Sequence, residues 1–338
     1  MTDIHIRIEG RAGRITLQRP QALNALSYQM CLDIDAALVK WRDADIDLLI
    51  IDAVGEKAFC AGGDLAEMYK TGTAGDFDYG RRFWRDEYRM NERLFTFPKP
   101  VVTFLQGFTM GGGVGVGCHG SHRIVGDSSQ IAMPECGVGL VPDVGGSLLL
   151  ARAPGRLGEY LGTTAARMKA GDAIYAGFAD YFIPEDKWDA LKTQLISDGN
   201  VDHVDAAAQT VPASHLAQQQ DEIDALFAGA TFGDILRGLP EGYDRTALDR
   251  NSPLAMSVAV QIIRRVRGAQ TIRNALDQEF RYTFRSMEQG DFLEGIRAAI
   301  IDKDRSPKWA HKDTAAISEA DVLKMTLPLG EDALVWED

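Results

Sequence analysis

An α/β layered fold is predicted by three features of the 338-residue chain: a recurring order of strand, glycine-rich turn and helix, strands that are continuous apolar runs, and a strongly helical C-terminal third. Recurrence of that order calls for right-handed crossovers and a largely parallel sheet. Continuous apolar strands belong to a sheet buried on both faces.

The elements follow in order. "IRIEGRAGRITLQ" reads as a hairpin of two alternating runs around Gly10 and Gly13. "LSYQMCLDIDAALVKW" puts Met30, Ile34, Ala37, Leu38 and Trp41 on one helical face. "IDLLIIDAVG" is a buried strand, and "EKAFCAGGDLAEMY" is a glycine turn leading into a helix. "YGRRFWRDEYRMNERLF" is a long charged and aromatic helix, and "KPVVTFLQGF" is a second buried strand. "TMGGGVGVGCHGS" is a second glycine turn into a helix, "HRIVGD" and "SQIAMPE" are short strands, and "GGSLLLARAPG" begins another helix. Between about 190 and 250 the pattern is helical but weak, which marks a connecting region. From Pro253 onward it is strongly helical, and Asp291 and Glu294 stand at capping-box spacing in "DFLEGIRAAIIDK".

Composition narrows the function. A net charge of -13 argues against a nucleic-acid or anionic-membrane surface, both of which need a basic face. The four cysteines, Cys31, Cys60, Cys118 and Cys136, are scattered without a C-x-x-C pair, which suits a reducing compartment and neither a disulfide scaffold nor a zinc site. The first residues alternate like a strand and lack an apolar leader, so a soluble cytoplasmic protein is expected. No uninterrupted apolar run approaches the length of a membrane span.

Chemistry is foreshadowed by "MPECGVGLVPDVGG", residues 133–146, where Glu135 and Asp143 stand in an apolar, glycine-rich stretch. A carboxylate there must be paired, hydrogen-bonded or shifted in pKa, and such shifts concentrate at sites that do chemistry. The plainer alternative is that Pro134 and Pro142 open turns which the two acids cap. Two glycine turns, "CAGGDL" at Gly62 and Gly63 and "MGGGVG" at Gly111 to Gly113, each follow a buried strand and could offer free backbone N–H groups to an anion. Two such groups meeting at one point would form an oxyanion hole. Close packing is the competing role for the same glycines.

Several motifs lead elsewhere and fail. "GVGCHG" fits G-x-G-x-x-G, but it begins too deep in a glycine run, its helix is cut short by "HRIVGD", and no acidic residue follows at the spacing a dinucleotide fold requires. There is no G-x-S-x-G elbow. His119 and His122 lack a third metal ligand, so no metal is expected, and Cys136 has no histidine nearby in sequence to activate it.

"RPQALNAL", "KAFCAGGDL", "GFTMGGGVG" and "MPECGVGLVPDVGG", in that order and spacing, resemble the successive landmarks of the crotonase superfamily of acyl-CoA enzymes across nearly the whole chain. "TMGGGVGVGCHGSHRI", the Glu135 to Asp143 spacing and "FLEGIRAAIIDKDRSPKW" are similar to its thioesterase branch, the 3-hydroxyisobutyryl-CoA hydrolases connected with valine breakdown. The resemblance implies a crotonase-like spiral of ββα units over residues 1–190, a helical connecting region over 191–250, and a C-terminal helical region over 251–338 that covers the active site. It further implies oxyanion-hole amides at Gly63 and Gly112, a catalytic Glu135 with Asp143 as second acid, and substrate contacts from Glu87, Gly62 and Gly111. Coenzyme A would enter as part of the substrate, with no separate cofactor, and a homo-oligomer is possible for the superfamily.

One departure decides between activities. Hydratases of the superfamily have a glutamate two residues after the glycine triplet, whereas this chain has Gly115. Glu135 would then have to manage both proton transfers of water addition alone, so hydration is disfavoured. Thioester hydrolysis makes a lighter demand, because a thiol of pKa about 8.5 leaves as thiolate with little acid assistance. The expected function is therefore hydrolysis of a short-chain acyl-CoA ester, with enoyl-CoA hydration or isomerisation as the same-fold alternative and a non-catalytic acyl-CoA binder behind both. For the CoA phosphates, Lys57, the arginines of "RRFWRDEYR" and Arg264, Arg265 and Arg267 are candidates, although most are expected to be ordinary solvated faces.

Overall fold

The computed structural model describes residues 3–336; Met1, Thr2, Glu337 and Asp338, at the ends of the expected first strand and C-terminal region, lie outside them. Two compact units interleave along the chain. The first comprises the described residues up to 63 with 89–132 and 167–217, and the second comprises 64–88, 133–166 and 218 onward.

Among the described residues, all the strands lie in the first unit. β1 (Ile4–Glu9) and β2 (Ala12–Leu17) form the expected antiparallel hairpin, with Gly10 at φ +52° in the turn. α1 (Tyr28–Trp41) follows, capped by the Ser27 hydroxyl, which accepts from the Met30 N–H, and it buries all five apolar residues expected on one face. β3 (Leu48–Ala53) and β4 (Ala58–Cys60) come next. β5 (Val101–Phe104), β6 (Phe108–Met110), β7 (His122–Val125), β8 (Gln130–Ala132) and β9 (Tyr181–Phe182) complete the set.

Strand order is β1-β2-β3-β5-β7-β9 in one sheet and β4-β6-β8 in the other. From β3 onward odd- and even-numbered strands thus go to different sheets, and every strand pairing after the first hairpin is parallel. Each β-β-helix turn of chain advances both sheets by one strand, which is the ββα spiral that the resemblance implies. One face of the larger sheet is covered by the helix Trp188–Asp198, whose Trp188, Leu191 and Leu195 pack with Leu48, Ile50, Val102, Phe104 and Ile124.

"KPVVTFLQGF", read as one strand, is in fact two. The chain breaks at Gly107, which has φ +57° and would place a Cβ 2.2 Å from the Lys57 carbonyl oxygen. Only glycine fits there, and the break moves the chain from one sheet to the other.

The second unit is helical. α2 (Ala66–Thr73) and the first turns of α3 (Asp78–Phe95) join α5 (Gly146–Arg152), the helix Leu157–Thr164 and the long helices Pro253–Gly268 and Ile272–Gln289; α4 (Gly112–Gly117) belongs to the first unit. Glu159, fully buried, is met by Arg156 at 3.0 Å, Arg264 at 3.0 Å and Arg267 at 2.8 Å. Two of the arginines considered for phosphate are therefore engaged inside the protein. The Asp291/Glu294 capping box does not form: Asp291 accepts from the Ser252 hydroxyl at 2.6 Å and the Ala310 N–H at 2.9 Å, and Glu294 is drawn to Arg297 at 2.8 Å. Among the described residues no helix is long and apolar enough to cross a membrane.

Candidate active site

Two glycine turns lie side by side in the first unit. β4 ends at Cys60, and Gly62 takes φ +122°, its carbonyl accepting from the Leu26 N–H at 2.9 Å. β6 ends at Met110, and Gly111 turns the chain with φ +50° into α4. A Cβ on Gly113 would stand 2.1 Å from the Cys60 carbonyl oxygen, and one on Gly62 would stand 3.6 Å from that of Met110. A side chain at Gly113 would drive the turns apart, whereas Gly62 has room for a Cβ and is set apart by its positive φ.

The amides of Gly63 and Gly112 donate no hydrogen bond to any described residue. Buried N–H groups are rarely left so, and Gly112 is buried. One expectation needs correcting. Gly112 does open a helix, but Gly63 stands three residues before α2 begins at Ala66 and is instead bridged to Leu26. Any anion affinity at Gly63 comes from its own peptide dipole and not from a helix.

The acids gather in the second unit. Glu135 opens a single 3-10 turn, Glu135–Val138, which Gly139 closes at φ +75°. The turn is fixed from outside: Tyr282 donates its hydroxyl to the Gly139 carbonyl at 3.0 Å, and a Cβ on Gly139 would collide with the Asp291 backbone. Glu135 is 5 % exposed, yet neither carboxyl oxygen is hydrogen-bonded by another described residue. Burial, first, and the charge of Asp143 push its pKa well above the usual carboxylate range; its own amide offsets this in part and Glu279 adds to it. Such a carboxyl is not capping a turn, so the plainer alternative fails for Glu135.

Asp143 is 4 % exposed and accepts from the Tyr88 hydroxyl at 2.8 Å. Its pKa is also raised by burial, with the Tyr88 hydrogen bond working against the rise. Its charge is in turn the second cause, after burial, of the rise at Glu135. Glu87, on α3, is 4 % exposed, and its pKa is raised well above normal by burial and then by Asp143.

Two members were missed from sequence. Glu279 is fully buried and accepts from the Gly145 N–H at 2.8 Å, from the Ser147 N–H at 3.0 Å and from the Ser147 hydroxyl. Burial raises its pKa to about 8, despite those donors. Tyr88, next to Glu87, anchors Asp143 and also reaches the Thr283 hydroxyl at 3.5 Å. Between Asp143 and Gly145 stands Val144 at φ +54°, a left-handed conformation that costs a β-branched residue about 1–3 kcal/mol. Strain and buried acids thus fall in one loop.

His119 and His122 go to separate ring contacts, with Phe95 and with Tyr181, and Cys136 is buried with its thiol 3.2 Å from the Gly162 carbonyl.

A spiral of strand pairs with two unpartnered glycine amides, accompanied by a helical unit bearing clustered acids, defines a protein of the crotonase fold. The chain belongs to the enoyl-CoA hydratase/isomerase family, whose model matches residues 12–326. It is 37% identical over 340 residues to a zebrafish (Danio rerio) protein named 3-hydroxyisobutyryl-CoA hydrolase, mitochondrial, spanning 95% of this chain and 88% of that one. To the human protein of the same name it is 34% identical, covering 98% and 90% respectively. Among solved structures, one described as an enoyl-CoA hydratase from Rhodobacter sphaeroides superposes with a TM-score of 0.94 at 53% identity over 99% of this chain and 100% of that one. Another, described as a carnitinyl-CoA dehydratase from Mycobacterium thermoresistibile, gives 0.92 at 39% identity, with 97% of each chain covered.

Proposed function

We propose that this chain hydrolyses a short-chain acyl-CoA thioester, and that 3-hydroxyisobutyryl-CoA, cleaved to 3-hydroxyisobutyrate and CoA, is its substrate. The observation that carries the reading is Glu135: a buried carboxyl near a second acid, with no hydrogen-bond partner among the described residues, in a chain that has Gly115 where a hydratase has glutamate. The substrate is taken from the hydrolase name borne by the relatives.

In this reading the Gly63 and Gly112 amides receive the thioester oxygen as it gains charge, each donor being worth about 3–4 kcal/mol of barrier where water is excluded. Glu135 either attacks the carbonyl carbon, expelling CoA thiolate and leaving a mixed anhydride that water opens, or removes a proton from the attacking water. Asp143 orients that water or the substrate hydroxyl, and Glu87, Gly62 and Gly111 contact the acyl group. No metal or organic cofactor takes part.

Hydration is the second reading, favoured by the description of the Rhodobacter structure. The two separate in one assay of the wild-type protein. Release of free CoA from 3-hydroxyisobutyryl-CoA, followed with a thiol reagent, is expected, together with little loss of enoyl absorbance from crotonyl-CoA. Rapid loss of that absorbance with no thiol released would replace hydrolysis by hydration; binding of both esters without turnover would leave an acyl-CoA binder.

A further inference from the structure

The loop carrying Asp143 is gripped by Glu279, from a helix far along the chain. Gly145 and Ser147 turn their amides, and Ser147 its hydroxyl, onto the two carboxyl oxygens of Glu279. The turn they clamp begins at Asp143, whose carbonyl accepts from the Gly146 N–H at 2.7 Å, and it contains Val144 and Gly145 in consecutive left-handed conformations, φ +54° and +79°. A valine does not hold such a conformation unaided.

Glu279 is also one of several contacts made by a single helix, Ile272–Gln289. Phe280 meets the Tyr88 ring edge-on with centroids 6.0 Å apart, and Thr283 stands beside the Tyr88 hydroxyl that anchors Asp143. Tyr282 fixes Gly139, which closes the turn opened by Glu135. This one helix therefore touches the supports of both acids.

We propose that Glu279 is a positioning residue: by accepting the Gly145 and Ser147 donors it holds the strained Val144 turn, and so fixes where Asp143 points. It touches no substrate and acts only through Asp143. The proposal rests on the reading of Asp143 as a working acid of the site. The Glu279 side chain is too deeply buried and too fully engaged by donors to serve as a second base.

A double-mutant cycle on the full-length protein tests this, with Glu279→Gln, Asp143→Asn and the double variant compared by kcat and KM at fixed pH. Glutamine keeps the shape but presents an NH2 group to one of the amides. Displacing a reacting group by about 1 Å costs on the order of 100-fold in rate. Glu279→Gln is therefore expected to lower kcat to that extent with KM little changed, and to add almost nothing in the Asp143→Asn background. A full multiplicative loss in that background, or a loss confined to melting temperature, would overturn the proposal. Should Glu279→Gln fail to fold, Ser147→Ala removes one donor while sparing the carboxyl; the same cycle then supports or overturns the proposal by the same two results. Any measurable turnover serves, so a protein that hydrates enoyl esters instead would sink the hydrolase reading without touching this one.

Discussion

The Tyr88 hydroxyl donates to Asp143 at 2.8 Å where both residues are buried, and the charge of Asp143 adds to the burial that raises the pKa of Glu135 and Glu87. Tyr88 favours the ionised form of Asp143 and opposes the burial that disfavours it. Tyr88→Phe should thus push the Asp143 pKa further up and move the rise of kcat with pH to more alkaline values. A loss of about 1 kcal/mol in stability is expected alongside, as for one buried hydrogen bond. A kcat-pH profile of the variant that overlays the wild type would show that the phenol does not tune the acid.

Stability should fall as pH rises. Glu279 has a folded pKa of about 8 against 4.5 in the unfolded chain, so between those values the folded state binds the extra proton. Its contribution is fully present below about pH 4.5 and is lost as pH climbs through 8; Glu87, Glu135 and Asp143 shift in the same direction. Thermal melts from about pH 5 to 8.5 should show a declining midpoint, and Glu279→Gln should flatten that slope whatever it does to the midpoint itself. A midpoint that climbs steadily over this range would contradict the clustering of buried acids.

Gly113→Ala should disable the first unit's paired turns. The added methyl would stand 2.1 Å from the Cys60 carbonyl oxygen, a backbone atom that cannot swing aside. A stability loss of about 2–3 kcal/mol is expected by denaturant titration, with turnover lost even where the protein remains folded. Normal activity in this variant would mean the glycine triplet does not set the position of the Gly112 amide.

Glu159→Gln tests the ion cluster that occupies Arg264 and Arg267. Removing the buried charge leaves three guanidinium groups facing one another, partly relieved by solvent because the arginines are 21–37% exposed. A loss of about 2 kcal/mol is expected with KM for the CoA ester unchanged. A large rise in KM would return these arginines to the role of phosphate ligands.

Much of the architecture was open to sequence reasoning because its signals are local. The hairpin around Gly10, the α1 face and the buried β3 run all follow from patterns a few residues wide. β4 and β6 run straight into glycine turns that mask them, and the switch of sheet at Gly107 depends on the distant Lys57 carbonyl. The site divides the same way. Glu135 and Asp143 stood out by being charged in an apolar stretch, whereas Tyr88 and Glu279 sit in helices already rich in aromatic and charged residues. Nothing short of the fold brings Glu279 to Gly145. The Asp291/Glu294 pair shows the converse: a local signal overridden by the tertiary partners Ser252, Ala310 and Arg297.

The most direct test of the central claim is single-turnover release of CoA from 3-hydroxyisobutyryl-CoA by wild type and Glu135→Gln, with binding of the ester measured separately. The variant should bind the ester about as well and release CoA at least roughly 1,000-fold more slowly, the scale lost when an enzyme loses its nucleophile or base. Equal rates of release from the two proteins would contradict the role of Glu135 and the mechanism built on it.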